Sequence, residues 1–347
     1  MKIPANTRPF SVSRSWFAAA GLLASLSLAP AYGANIDLGT SGDWSVPGNW
    51  VGGVLPSDLD TAVIKNDLTA TIGSYTVTVN GATVGTTSNN STVGTLNVNT
   101  GGALVTVGSH LTVGNRGIGT VNVNGGTINA GGASVNKDIW LGQNSNSSDS
   151  GSGTLNLYSG TVTTRTLMLG RSNGNYYYSE GFLNIYDGSL TASVLSVGLT
   201  TNYSVATYGE ILISGALATV TVNGDIVLDN SKITYALADE GVTKITATGN
   251  VTLAGELALE VLSGVGVLPS SIILLETDTS QTITGTFDGY TSGETYTWGS
   301  ITGTYVIDDV LKQVRIDNIS IPEPASTALM VGGLAALLVF LQRRRRR

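Results

Sequence analysis

Gly94-Thr95-Leu96-Asn97-Val98 decides the fold, because it comes back. It returns as Gly119-Thr120-Val121-Asn122-Val123, as Gly153-Thr154-Leu155-Asn156-Leu157 and as Gly181-Phe182-Leu183-Asn184-Ile185. Gly209-Glu210-Ile211-Leu212-Ile213 is a degenerate fifth copy. The start-to-start spacings are 25, 34, 28 and 28 residues. A second motif travels with the first: Leu111-Thr112-Val113-Gly114, Ile139-Trp140-Leu141-Gly142, Leu167-Met168-Leu169-Gly170 and Leu195-Ser196-Val197-Gly198. Inside each copy apolar and polar residues alternate with the period of a strand, and Gly, Asn and Ser separate the strands. Self-similarity at this period marks a repeat architecture.

A unit of that length, with about three short strands, cannot bury a core of its own. Stacked as coils, equivalent strands of successive units lie ~4.8 Å apart and pair in parallel. The expected fold is all-β, a right-handed parallel β-helix. Leu96, Val98 and their copies fill its interior. Asn97, Asn122, Asn156 and Asn184 face outward and stack as a ladder of amides, and Tyr158 and Tyr186 stack in neighbouring coils. The uneven spacing is expected to be absorbed by polar insertions over 143–152 and 171–180.

The ends of such a coil expose unpaired strand edges and need covers. The body opens with Gly42-Asp43-Trp44-Ser45-Val46-Pro47-Gly48-Asn49-Trp50. This resembles the opening of bacterial autotransporter-like β-helix proteins, and the resemblance implies that Trp44 and Trp50 cover the first coil. At the other end Tyr305-Val306-Ile307 and residues 310–316 flank Asp308-Asp309 and predict a closing hairpin. The expected organisation is an N-terminal cap with the first coils over 34–80, repeats over 81–260 and a C-terminal β cap over 261–319.

Both extremities read as targeting segments. Lys2, Arg8 and Arg14 precede an apolar stretch over 16–28, and Ala31-Tyr32-Gly33 supplies small residues at a cleavage site, so a signal peptide helix over 1–33 is expected to be cut between Gly33 and Ala34. The other extremity, 320–347, holds Pro322-Glu323-Pro324, then an apolar run over 325–341, then Gln342 and Arg343, Arg344, Arg345, Arg346 and Arg347. The run of 17 residues makes a helix of about 25 Å. Arginine snorkelling extends its reach toward the ~30 Å of a hydrocarbon core. The arginines resist translocation and hold the cytoplasmic side, which leaves the body in the periplasm. This three-part ending resembles the PEP-CTERM sorting signal of Gram-negative bacteria. The resemblance implies processing by an exosortase near Pro322, Glu323 and Pro324, with the inner-membrane-anchored precursor passing to the cell surface or extracellular matrix.

Eight of the 17 basic residues and one of the 24 acidic residues lie in these two segments, which leaves 9 basic against 23 acidic and a body charge near −14. That charge argues against binding nucleic acid or anionic lipid. Cysteine is absent, so disulfides and thiolate chemistry are excluded.

The sequence offers little chemistry. His110 is the sole histidine and is read as a solvated turn residue, without partners for a metal site or a triad. No cofactor or metal is implied. Asp138, Asp149, Arg165, Arg171, Glu180 and Asp187 fall in the middle coils, but no motif pairs two carboxylates at the separation glycoside hydrolysis needs. Tyr176, Tyr177 and Tyr178 beside Arg171 and Glu180 could stack on a sugar ring. The reading is a noncatalytic structural or adhesive β-helix of the cell envelope or biofilm matrix. Its expected partners are signal peptidase, exosortase and extracellular polysaccharide. The alternative is a secreted polysaccharide lyase or glycoside hydrolase on the same coil.

Overall fold

A computed structural model of the chain describes residues 33–86, 92–131, 137–144, 150–172, 178–199 and 207–321. Residues 1–32 and 322–347 lie outside these, and with them most of both targeting segments, including Pro322, Glu323, Pro324 and the arginine block. The described residues form a parallel β-solenoid with three faces.

Each face is a column of short strands in register. On face A the inward residues Ile36, Ala62, Ala82, Leu111, Ile139, Leu167, Leu195, Ile226, Val251 and Ile283 stand above one another. On face B the column is Ala70, Leu96, Val121, Leu155, Leu183, Ile211, Ile233 and Leu257. On face C it is Val77, Leu104, Ile128, Val162, Leu190, Val220, Ile245 and Leu275, so the coil makes about eight turns. The repeat copies fall in register, motif for motif. Nearly all these side chains are fully buried and form one continuous core. The sole helical element among the described residues is a 3-10 turn, Pro47–Asn49. No helix among the described residues is long and apolar enough to cross a membrane.

The two repeated glycines make one corner. Gly85, Gly114, Gly142, Gly170 and Gly198 sit at or near the ends of face A strands in the left-handed region, with φ of 72°, 73°, 68°, 67° and 65°. They face Gly94, Gly119, Gly153, Gly181 and Gly209 at the start of face B, and the backbones approach too closely for a β-carbon on either side.

The expected insertions are shorter than their polar composition suggests. Gln143 and Asn144 close the strand Ile139–Asn144, and Gly151 opens the next. Arg171 and Ser172 likewise end one strand, and Ser179 opens another. Gln143 pairs in register with Asn115 below and Arg171 above, so the ladder holds polar residues that read as loop. Rungs occupy the first coils before residue 81, with degenerate copies such as Thr69-Ala70-Thr71, and continue past 260 to Ile283–Gly285.

Both ends are covered. Trp44 and Trp50 are buried edge to face at 4.7 Å, and Trp50 Nε1 donates to Trp44 O at 2.9 Å. The backbone of 49–51 bonds back to Asp37 and Gly39, which closes the lower edge of face A. At the top, Ile301–Asp308 and Gln313–Ser320 form an antiparallel hairpin, and Gln313–Ser320 pairs antiparallel with Ser271–Glu276, the last face C strand. The strand resumes at Gln313 rather than at 310, because Asp308 Oδ1 accepts from the N–H groups of Val310 and Leu311 and fixes a turn. Tyr290, Tyr296 and Trp298 cluster beside Tyr305 of this hairpin, with Tyr290 O–H donating to Leu257 O on the last face B strand at 3.0 Å.

Candidate functional site

Alternation along a strand sends every second residue outward. On face A this gives one outward row: Asp37, Val63, Thr83, Thr112, Trp140, Met168, Ser196, Val227, Thr252 and Thr284. A second row beside the glycine corner holds Thr86, Asn115, Gln143 and Arg171. Between them runs an open groove of about 380 Å³, lined by Asn35, Asp37, Lys65, Thr83, Asn115 and Arg116 among others. Lys65 Nζ lies 2.9 Å from Asp37 Oδ2. Arg116 takes a left-handed φ of 59°, donates its backbone N–H to Gln143 O at 3.0 Å and leaves its buried Nε without a partner among the described residues.

Four rungs along the same row, roughly 19 Å at strand spacing, stands Trp140. The His110 ring stacks on it with centroids 3.7 Å apart, and the Arg171 guanidinium carbon lies 4.0 Å from its centroid. Such a placement draws the cation to the negative ring face. Asp138 is buried beside them. Its Oδ1 and Oδ2 accept from Arg165 Nε and Nη2, both at 2.9 Å, and its backbone N–H donates to His110 Nδ1 at 3.2 Å. Burial pushes the His110 imidazole below its ordinary value. Asp138 opposes that shift, while Lys137, Arg171 and Arg165 add to it. Burial lowers Arg171 as well, and the hydrogen bond to Asp138 raises Arg165. His110 is therefore a packed, half-buried ring and not the solvated turn residue expected from sequence. Its outward tryptophan neighbour covers it.

The residues of the expected sugar-contact cluster fall on either side of the glycine corner. Arg171 joins Trp140 and His110 on face A. Tyr178 and Glu180 belong to face B, where Glu180 pairs in register with Tyr208. Burial raises the Tyr178 hydroxyl, and the Glu180 carboxylate adds to it. Burial, with Glu210 next, pushes Tyr208 up to about 12. Tyr176 and Tyr177 lie outside the described residues, as does Asp149. Asp187 turns onto the backbone, its Oδ1 accepting from Gly188 N–H at 2.6 Å. The arrangement binds Asp138 to cations and Asp187 to a turn.

Sequence reasoning missed Trp140, Lys65 and Arg116. For Trp140 a signal existed: the other copies of its motif carry Thr112, Met168 and Ser196 at the outward position, and an outward tryptophan among these is conspicuous. Lys65 follows a strand without the motif, and Arg116 lies just past the Leu111-Thr112-Val113-Gly114 copy, at a position where the other copies share no residue type.

Comparison with protein-family models, with curated proteins and with solved structures finds no match to this chain.

Proposed function

We propose that this chain is an exported structural or adhesive protein, delivered to the cell surface or extracellular matrix as a right-handed parallel coil. One observation carries the reading: among the described residues, parallel backbone ladders link each rung to the next from Asn35–Asp37 to Ile283–Gly285, with the tryptophan pair at one end and the antiparallel hairpin at the other. Such a scaffold holds itself together by backbone pairing and core burial, with no disulfide to lose outside the cell. The right-handed sense follows the general preference of parallel crossover connections. The face A groove and the Trp140 patch supply a polar track with cations and one aromatic platform, the chemistry of weak, repeated contact with a polysaccharide.

Delivery is the second half of the proposal. A signal peptide helix over 1–33, cleaved by signal peptidase between Gly33 and Ala34, starts export. The transmembrane helix over 325–341 and Arg343–Arg347 hold the precursor in the inner membrane until an exosortase acts near Pro322, Glu323 and Pro324. The intact mass of the extracellular product tests this: it should lack everything after the Pro-Glu-Pro segment, and a full-length, membrane-retained product in a host with the processing enzyme would refute it. For the scaffold role, the product should co-sediment with matrix polysaccharide and release no sugar. Turnover that Asp138→Asn abolishes would establish the enzyme reading instead.

A further inference from the structure

We infer that Asp60 is a built receptor for a new α-amino group at Ala34. The inference rests on the proposed cleavage after Gly33 and adds what that cleavage does to the fold.

Ala34 is held from both sides. Its N–H donates to Asp60 Oδ1 at 2.9 Å, and its carbonyl accepts from Thr61 N–H at 2.8 Å. The other carboxylate oxygen, Asp60 Oδ2, accepts from Ser57 N–H at 3.0 Å and from Ser57 Oγ–H at 2.6 Å. Asp60 itself is fixed by Asn80 N–H, which donates to its carbonyl at 2.9 Å. Thus a carboxylate already oriented by its own turn points one oxygen at the nitrogen of the residue that follows the proposed bond. On the other side of that bond, Gly33 runs so close to the Leu59 carbonyl that a β-carbon there has no room.

Hydrolysis changes the chemistry of this contact without moving it. Water adds across the Gly33–Ala34 amide: its hydroxyl goes to the Gly33 carbonyl carbon, and the C–N bond breaks. The Ala34 nitrogen takes the remaining proton of the water and the one that the new Gly33 carboxyl releases, and becomes an ammonium beside a free Gly33 carboxylate. One neutral N–H facing Asp60 becomes a charged donor with three hydrogens, and a charge-assisted bond is shorter and stronger than a neutral one. Ala34 adjoins Asn35–Asp37, the first strand of face A, so the ion pair fastens the lowest rung of the coil. Export and cap closure are coupled in this way: the precursor's lowest rung is looser than that of the processed protein.

The test uses the full-length precursor in detergent, before and after cleavage by signal peptidase, with Asp60 and with Asp60→Asn. N-terminal sequencing first checks that the product starts at Ala34; a different terminus overturns the cleavage reading and this inference together. Protease susceptibility near residues 35–37 then reports cap opening. Cleavage should lower the open fraction by about 1.4-fold to 5-fold in the Asp60 chain, the range of a solvent-exposed ion pair, and leave the Asp60→Asn chain unchanged. An Ala34 terminus with equal changes in both chains overturns the receptor while sparing the cleavage. Amine labelling gives a second measure that needs no comparison of stabilities. The Ala34 amine should react more slowly in the parent chain than in the Asp60→Asn chain, and equal rates would overturn the inference.

Discussion

The backbone nitrogen of Gly142 occupies the space that a β-carbon on Gly153 would need. Gly153 lies near the start of a face B strand and Gly142 near the end of the preceding face A strand, and the same near contact recurs at Gly114 with Gly119 and Gly170 with Gly181. The repeated glycine is therefore a steric requirement of a tight corner. Gly153→Ala should destabilise the coil by about 1–3 kcal/mol, the usual cost of overpacking. Gly48→Ala, with open space around the position, is the control and should lie within about 0.5 kcal/mol of the parent. Urea midpoints followed by circular dichroism decide it; equal midpoints for the two variants would remove the corner argument.

The asparagine ladder makes a graded prediction. Asn122 Nδ2 donates to Asn97 Oδ1, Asn156 Nδ2 to Asn122 Oδ1, and Asn184 Nδ2 to Asn156 Oδ1, each at 2.8 Å. Above Asn184 the row continues as Leu212, and below Asn97 as Thr71. Asn122→Ala breaks two amide bonds and Asn184→Ala breaks one. At about 0.5–1.5 kcal/mol each, the inner substitution should cost about twice the outer one. Equal unfolding midpoints for the two variants would show that the amides contribute no coupled bonding.

Much of this architecture is legible in the chain itself. Leu96, Val121, Leu155 and Leu183 share one column because strand alternation and stacking leave a 25–34-residue repeat no other way to bury them. The amide ladder and the stacked pair Tyr158 and Tyr186, with centroids 5.1 Å apart, follow from the same register. What stays hidden depends on the third dimension. The path from Trp140 to His110 and Arg171 crosses rungs, so sequence separation of about a repeat conceals it. Arg171 and Glu180 are near in sequence, yet the glycine corner sends them to different faces. The aromatic cover built from Tyr290, Trp298 and Tyr305 has no repeat to announce it.

The C-terminal cover should loosen in acid before the middle coils do. Hydrogen bonds from Leu311 N–H and Arg315 hold the Asp308 carboxyl below its usual range. Burial pushes Asp317 up, but Ser271 and Arg315 outweigh it and leave that carboxyl lowered too. Arg315 Nη1 donates to Asp308 Oδ2 at 2.6 Å and Nε to Asp317 Oδ2 at 2.8 Å. A carboxylate with a depressed folded value contributes stability that is present above its unfolded value, about 3.9, and is lost as the pH falls through the folded one. The amide protection factors along Gln313–Ser320, which correct for the intrinsic pH dependence of exchange, should therefore fall below about pH 4 while those of Leu155 and Leu183 hold. Arg315→Gln should move that onset to higher pH. A uniform loss of protection along the whole coil would refute a local origin.

The single histidine offers the cleanest readout of the face A patch, since its ring gives the one imidazole titration in the chain. Burial against Trp140 lowers the His110 value, so the folded state binds its proton less readily than the unfolded chain. Stability from this ring is then complete above the unfolded value, about 6.5, and declines as the pH drops below it toward the folded value. The imidazole proton resonances should titrate with a midpoint below about 6.5. Trp140→Ala exposes the ring and should raise the midpoint. Asp138→Asn removes the one carboxylate that favours the protonated ring and should lower it further. The two variants must move the midpoint in opposite directions, because one relieves desolvation and the other removes a charge. A midpoint at the ordinary value, unmoved by Trp140→Ala, would mean that the stack does not form in solution, and the patch would lose the ring that orders it.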